Sequence, residues 1–167
     1  SSLMGKGIAT IIEDSEENIE KISRKLNEDG LRVVAICQKN DIEKIENFNI
    51  SDEKNMVLLG FIGFLDPPKE SAKESISKLN NAGIRVVVLT GDNAEVTRCV
   101  CNKVGINSNN IILGSKIDKL SDMALLRLLK KNNIFAKLSP IQKARIVRVL
   151  KQAGNIVGYM GDGINDS

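Results

Sequence analysis

With 167 residues, 42% of them hydrophobic, and a net charge of +3, the chain is sized for one medium domain, or one domain and part of another. No apolar run approaches the ~18 residues that span a bilayer and no secretory leader is read, while three unclustered Cys without any His argue against zinc and for a reducing setting. The stretch from Met123 to Gly161 carries bases but no acid. With few aromatic side chains to stack on bases, it suits an anionic group better than nucleic acid.

In chain order, residues 1–7 read as irregular. Asp14 followed by Glu17 resembles a capping box, and Ile19, Ile22 and Leu26 then mark one helical face that Gly30 stops. Leu31 to Cys37 reads as a strand. From Gln38 to Asn55 the chain is polar and charged, with a helical hint only at Asp41–Glu46, and reads as a linker or edge.

After Asn55 apolar strands alternate with amphipathic helices. The strand ends at Asp66, Thr90, Gly114, Lys137 and Gly161 recur at roughly two-dozen-residue intervals, one short βα unit each. The units share no repeating side-chain pattern, so an α/β fold with a mainly parallel sheet and crossover helices is expected rather than a solenoid. Pro68 is placed to open a helix whose buried face is Ala72, Ile76 and Leu79. The run Val86–Leu89 reads as a strand buried on both faces, with Asn93 as N-cap of the next helix. Ser121 caps a helix containing Leu125, Leu126 and Leu129. Ser139-Pro140-Ile141-Gln142 combines an N-cap, Pro at the first position and a capping-box Gln. Asn155 to Met160 reads as the last strand, ahead of the turn Gly161-Asp162-Gly163-Ile164-Asn165-Asp166.

Ligands of open α/β sheets bind beyond the carboxyl ends of the strands. There the chain delivers Asp66, Thr90-Gly91-Asp92, Lys137 with Lys143 on the next helix, and Asp162 with Asp166. Gathered carboxylates repel unless a cation neutralises them, and hard oxygen donors without His or thiolate suit Mg²⁺. A Lys and a Thr hydroxyl beside that ion are what phosphoryl transfer requires, and a Gly amide adds a donor to phosphate oxygens. Gly161 and Gly163 let backbone approach closely. Taken singly, Asp162 is as readily a turn residue and Lys143 a solvated helix residue; the ordered set carries the specificity.

Asp66-Pro67-Pro68-Lys69, Thr90-Gly91-Asp92-Asn93 and Gly161-Asp162-Gly163-Ile164-Asn165-Asp166, in this order, resemble the phosphorylation domain of P-type cation-transporting ATPases, within the haloacid dehalogenase-like superfamily. The wording of Gly60–Ala72 and Phe135–Lys143 is similar to the bacterial magnesium-transporting branch. The resemblance implies a Rossmann-like sheet with helices on both faces. It implies that Thr90, Gly91, Asp92 and Lys143 contact the phosphoryl group, that Asp162 binds the catalytic Mg²⁺ and that Asp166 supports it. It further implies ATP as the substrate of the parent protein, an aspartyl-phosphate intermediate, and a parent in the cell membrane with this segment on the cytoplasmic side. Lys6-Gly7 is similar to the end of a nucleotide-binding motif, which would make Lys6 a nucleotide contact. Residues 1–40 then correspond to the end of the nucleotide-binding domain, 41–55 to a linker, and 56–167 to the phosphorylation domain without its first strand.

The family's Asp-Lys-Thr-Gly-Thr nucleophile motif does not occur in these 167 residues. The resemblance therefore implies a segment of a longer pump, inactive by itself, whose partners are the pump's own nucleotide-binding, actuator and transmembrane domains. A central strand missing from the sheet would have to be replaced, either by Ile8–Ile12 or by strand exchange with a second copy. The competing readings are a soluble phosphatase of the same superfamily, which would have to encode its own nucleophile, and a non-catalytic phosphate- or nucleotide-binding module.

Overall fold

A computed structural model of the chain describes residues 9–10, 16–39, 50 and 53–161. The chain divides into two compact units, 1–66 and 67–167.

The first unit is an antiparallel sheet with one helix. Helix α1 (Glu16–Glu28) ends where Gly30 turns with φ 85°, a left-handed conformation that costs glycine little. Ile19, Ile22 and Leu26 on α1 are half-buried, as the spacing predicts. Strand β2 (Leu31–Gln38) pairs antiparallel with β3 (Val57–Leu65), from Leu31 opposite Leu65 to Gln38 opposite Val57, with a register shift after Ile36. One face of this ladder buries Leu31 and Phe61; Gly63 fits under Leu31, whose Cδ1 would lie 3.2 Å from an added Cβ. The other carries Val34, Ile36 and Phe64 largely exposed.

Two expectations change here. The strand ending before Asp66 is not the first of the parallel series; it is β3 of the antiparallel sheet. A long partner, β2, is available to it without a crossover, and an antiparallel return pairs the two strands along most of their length. The N-terminal stretch is also used differently: β1 (Ala9–Thr10) pairs antiparallel with β3, Ala9 opposite Ile62 and Thr10 opposite Phe61, and so does not stand in for a parallel neighbour. Asp14, Lys6 and the Asp41–Glu46 hint lie outside the described residues.

The second unit is the α/β part. Its parallel sheet has the order β4 (Val88–Leu89), β6 (Ile134–Ala136), β5 (Ile111–Leu113). Ile134, Phe135 and Ala136 are all buried, as expected of a central parallel strand covered on both faces. Helices α3 (Ala94–Lys103), α4 (Gly114–Ile117), α5 (Asp122–Lys131) and α6 (Pro140–Gln152) follow the strands. The core joins Ile112, Ile117, Leu125, Leu129, Phe135, Leu138, Ile146 and Val149. Of the apolar positions expected on α5, Leu125 and Leu129 are in this core and Leu126 is partly buried against it.

Three boundaries differ from expectation. Helix α2 (Ser71–Asn81) begins three residues beyond Pro68, and its first bond is from the Ala72 amide to the Lys69 carbonyl. Pro67 and Pro68 donate no hydrogen bond, and a residue before proline is held extended, so winding starts after them. No residue of α2 is fully buried; Ala72 and Ile76 are half-buried and Leu79 is exposed. Strand β4 is shorter than the Val86–Leu89 run, which is half-buried rather than covered on both faces; Arg85, ahead of that run, turns to the end of α5. Its guanidinium donates to the Leu129 and Asn132 carbonyls and to Asn133 Oδ1. Asn155 to Met160 forms no strand: Ile156 and Met160 are fully exposed. Among the described residues β4 is an edge strand, and Asn155–Met160 has no ladder partner.

Candidate functional site

Two turns at the carboxyl end of the parallel sheet are stitched together. Backbone bonds run from the Thr90 amide to the Phe135 carbonyl (3.0 Å), from Leu138 to Thr90 (3.0 Å) and from Lys137 to Asp92 (2.8 Å). The turn after β4 therefore continues the β4–β6 ladder beyond the strands themselves. To make it, Lys137 adopts φ 51°, a left-handed conformation that costs a non-glycine residue on the order of 1 kcal/mol. The bond from its amide to Asp92 helps hold it there.

Within the first turn the Thr90 hydroxyl donates to Asp92 Oδ2 at 3.1 Å and accepts from the Asp92 amide at 3.1 Å. Hydroxyl and carboxylate are thus locked to one another. Asn93 closes the turn as N-cap of α3; its Oδ1 accepts from the Val96 amide, and the Thr97 hydroxyl donates to its carbonyl. Gly91 is exposed, and a Cβ there would make only ordinary contact, 3.5 Å from the Leu138 carbonyl. The fold itself does not demand glycine at 91.

The second turn starts α6. Ser139 and Gln142 form the capping box that the Ser-Pro-Ile-Gln pattern predicts. Lys143, half-buried, lies in the first turn of the helix, its amide bonded to the Ser139 carbonyl. The helix is anchored further along by Arg145, which donates to Asp122 Oδ1 and to the Ile117 and Leu120 carbonyls.

Of the residues named from sequence, Thr90, Gly91 and Asp92 share one turn, and Lys143 sits on the helix that the adjoining turn starts. Asp162, Asp166 and Lys6 lie outside the described residues. Asp66 follows β3 of the antiparallel sheet and so does not end a strand of the parallel one. Among the described residues no three His, Cys, Asp or Glu side chains come together to hold a metal. Cys101 is buried, which pushes its thiol up from the usual range and away from nucleophilic use.

Sequence reasoning missed Gly114 and Asp118 as neighbours of this turn. Gly114 marks a strand end in sequence, but its close contacts, with the Lys137 carbonyl and Gln142, come from chain segments far along. A Cβ on Gly114 would lie 2.4 Å from the Lys137 carbonyl oxygen and 2.5 Å from Gln142 Oε1. Gly114→Ala is therefore expected to destabilise the second unit by about 1–3 kcal/mol through forced backbone movement. Urea denaturation of the two proteins measures this, and a difference below about 0.5 kcal/mol would mean the Lys137 turn yields freely.

The profile of the haloacid dehalogenase-like hydrolases matches residues 4–167. The chain is 42% identical over 149 residues to the magnesium-transporting ATPase, P-type 1, of Escherichia coli K12, covering 89% of this chain and 17% of that protein. Against the protein of the same name in Salmonella typhimurium LT2 it is 43% identical, covering 89% and 16%. Against the calcium-transporting ATPase 1 of Bacillus cereus it is 32% identical over 163 residues, covering 96% and 18%. The chain thus spans about one-sixth of the length of these relatives.

Proposed function

Because this chain belongs to the haloacid dehalogenase-like hydrolase family, we propose that it is the phosphoryl-handling segment of an ATP-driven cation pump, with magnesium as the transported ion. The observation that carries this reading is the pair of hydrogen-bonded turns, Thr90–Asp92 against Lys137–Leu138, at the carboxyl end of a parallel sheet. One turn presents a hydroxyl, the exposed Gly91 and a carboxylate, and the other starts the helix of Lys143. The turn and the helix that carries the cation are thereby held before an anionic group arrives, which is how electrostatic preorganisation acts on phosphoryl transfer. The names of the relatives support a cation pump, and magnesium is the ion named for the two at 42% and 43% identity, against calcium for the one at 32%.

The Gly91 amide would donate to phosphoryl oxygens, the Thr90 hydroxyl would join it by turning its proton from Asp92 Oδ2, which positions it until the anion arrives, and Lys143 would offset charge on the transferring group. The donor chemistry fits a hard cation, since the turn offers oxygen ligands and the chain has no His. Asp162, with Asp166 in support, would hold Mg²⁺, which when bound neutralises phosphate-oxygen charge. The aspartyl nucleophile would come from a strand elsewhere in the longer protein. The edge of β4 and the unladdered Asn155–Met160 support such a strand, since both would gain a neighbour from it. Nucleotide-binding, actuator and transmembrane domains would complete the pump, with this segment on the cytoplasmic side and Lys6 toward ATP.

Inorganic phosphate with Mg²⁺, titrated into the 167-residue protein, is expected to shift the amide resonances of Thr90, Gly91, Asp92 and Leu138 together, with Lys143→Ala weakening the response. Shifts confined to other surfaces, or a response indifferent to Lys143, would refute the site. In the longer protein, Asp162→Asn should abolish phosphoenzyme formation from ATP, and undiminished phosphoenzyme would refute the metal assignment.

A further inference from the structure

The Gln142 side chain is used far beyond the capping box that its sequence pattern announces. The residue is buried, and its amide is fully engaged. Oε1 accepts from the Ser139 amide at 2.9 Å, while Nε2 donates to the Gly114 carbonyl at 3.1 Å and to Asp118 Oδ1 at 2.7 Å. A glutamine amide has two N–H donors, and here both have partners in the segment that follows β5. Gly114 in turn leaves no room for a Cβ against the Lys137 carbonyl and Gln142 Oε1. A single side chain thus ties the first turn of α6 to the β5–α4 junction and, through Gly114, abuts the left-handed Lys137 turn. That turn is bonded to Asp92 and Thr90 through the Lys137 and Leu138 amides.

We infer that Gln142 is a positioning residue for Lys143: by clamping α6 to Gly114 and Asp118 it sets where the neighbouring Lys143 meets the Thr90–Asp92 turn. This rests on the reading of Thr90, Asp92 and Lys143 as a phosphoryl site. The chemical logic is that Lys143 is a flexible cation on a four-carbon stem, so its reach is set by the helix turn that carries it. An ordinary capping box fixes that turn only to its own chain. Bonds to Gly114 and Asp118 fix it to the segment that follows β5, at the end of the sheet where positional precision governs charge stabilisation. Arg145 anchors α6 one turn later, so loss of the Gln142 amide should loosen the first turn without freeing the helix.

The test is a double-mutant cycle on inorganic phosphate binding to the 167-residue protein, read from the Thr90–Asp92 amide resonances. Gln142→Ala and Lys143→Ala are each expected to weaken binding about fivefold to tenfold, and the double variant to be no weaker than about twofold below Lys143→Ala alone. Asp118→Ala removes one acceptor from the surface side, with an expected loss of about twofold to threefold, whereas Asp118→Asn, which keeps an accepting oxygen, should bind like the wild type. These two variants keep the test open if Gln142→Ala does not fold. Losses that multiply in the double variant would show Gln142 acting independently of Lys143 and overturn the inference. So would phosphate binding that depends on Lys143 but is unchanged in both Gln142→Ala and Asp118→Ala. Wild-type protein giving no response at Thr90–Asp92 would overturn the phosphate-site reading itself and the clamp with it.

Discussion

Phe135→Ala is expected to cost the second unit about 3–5 kcal/mol. The side chain is fully buried on the central strand, packed among Ile112, Leu125, Leu129 and Ile146 in one core. Removing it takes away more apolar surface than the short helices around it can recover by collapsing. A domain's whole stability is about 5–15 kcal/mol, so the loss is a large share of it. The consequence reaches the site, because the Phe135 carbonyl receives the Thr90 amide and its strand pairs with Leu89 on one side and Ile112 on the other. Urea unfolding followed by circular dichroism, with the Thr90 amide resonance as local probe, should show a lowered midpoint and loss of the Thr90 signal in step. A destabilisation below about 1 kcal/mol would mean that the core is looser than its burial implies.

What could be read from sequence follows the range of the forces involved. The caps at Asn93, Ser121 and Ser139 are encoded within four residues, and all three side chains accept the expected amide. The unbroken apolar run Val86–Leu89 announced a strand buried on both faces, but only Val88–Leu89 forms one, half-buried at the edge of the parallel sheet. The fully buried central strand is the three-residue β6, too short to announce itself by a run. Pairing partners were less legible. The strand Val57–Leu65 fits a parallel series by its position before a helix and an antiparallel hairpin by its length, and only the availability of β2 decides between them. Asn155–Met160 has a strand's composition, yet a strand exists only with a neighbour. The boundary at Pro67-Pro68 failed for a local reason, two consecutive residues that cannot donate.

The site shows the same division. Thr90, Gly91 and Asp92 stood out as a polar interruption after an apolar run, and the Thr90–Asp92 hydrogen bond is a short-range event. Gly114 and Asp118 did not stand out, because their importance depends on Gln142, more than twenty residues later. No periodicity connects a glycine at one strand end with a glutamine on the helix after the next strand. Only the parallel arrangement of β5 and β6, which puts their carboxyl ends side by side, brings the two together.

Lys143→Ala, made in the longer protein, should lower the rate of phosphoenzyme formation from ATP by about 10²–10³-fold, the magnitude for removing one preorganised charge-stabilising group. Its fold should be nearly untouched, within about 0.5 kcal/mol, since alanine is the strongest helix former and the cap at Ser139 and the Gln142 and Arg145 anchors remain. The two readouts separate a lost cation from a damaged helix. Lys143→Arg keeps the charge but replaces a compact ammonium with a planar fork, so it should recover only part of the rate. If Lys143 contributes ground-state affinity alone, KM for ATP rises while the maximal rate stays level; if it acts on the developing charge, the maximal rate falls with KM little changed. The stitched turns favour the second result, because they hold the helix of Lys143 and the Thr90 hydroxyl in fixed relation before any ligand arrives. Rapid acid-quench measurement of phosphoenzyme across ATP concentrations distinguishes these outcomes. A variant within about threefold of the wild-type rate would remove Lys143 from the phosphoryl site.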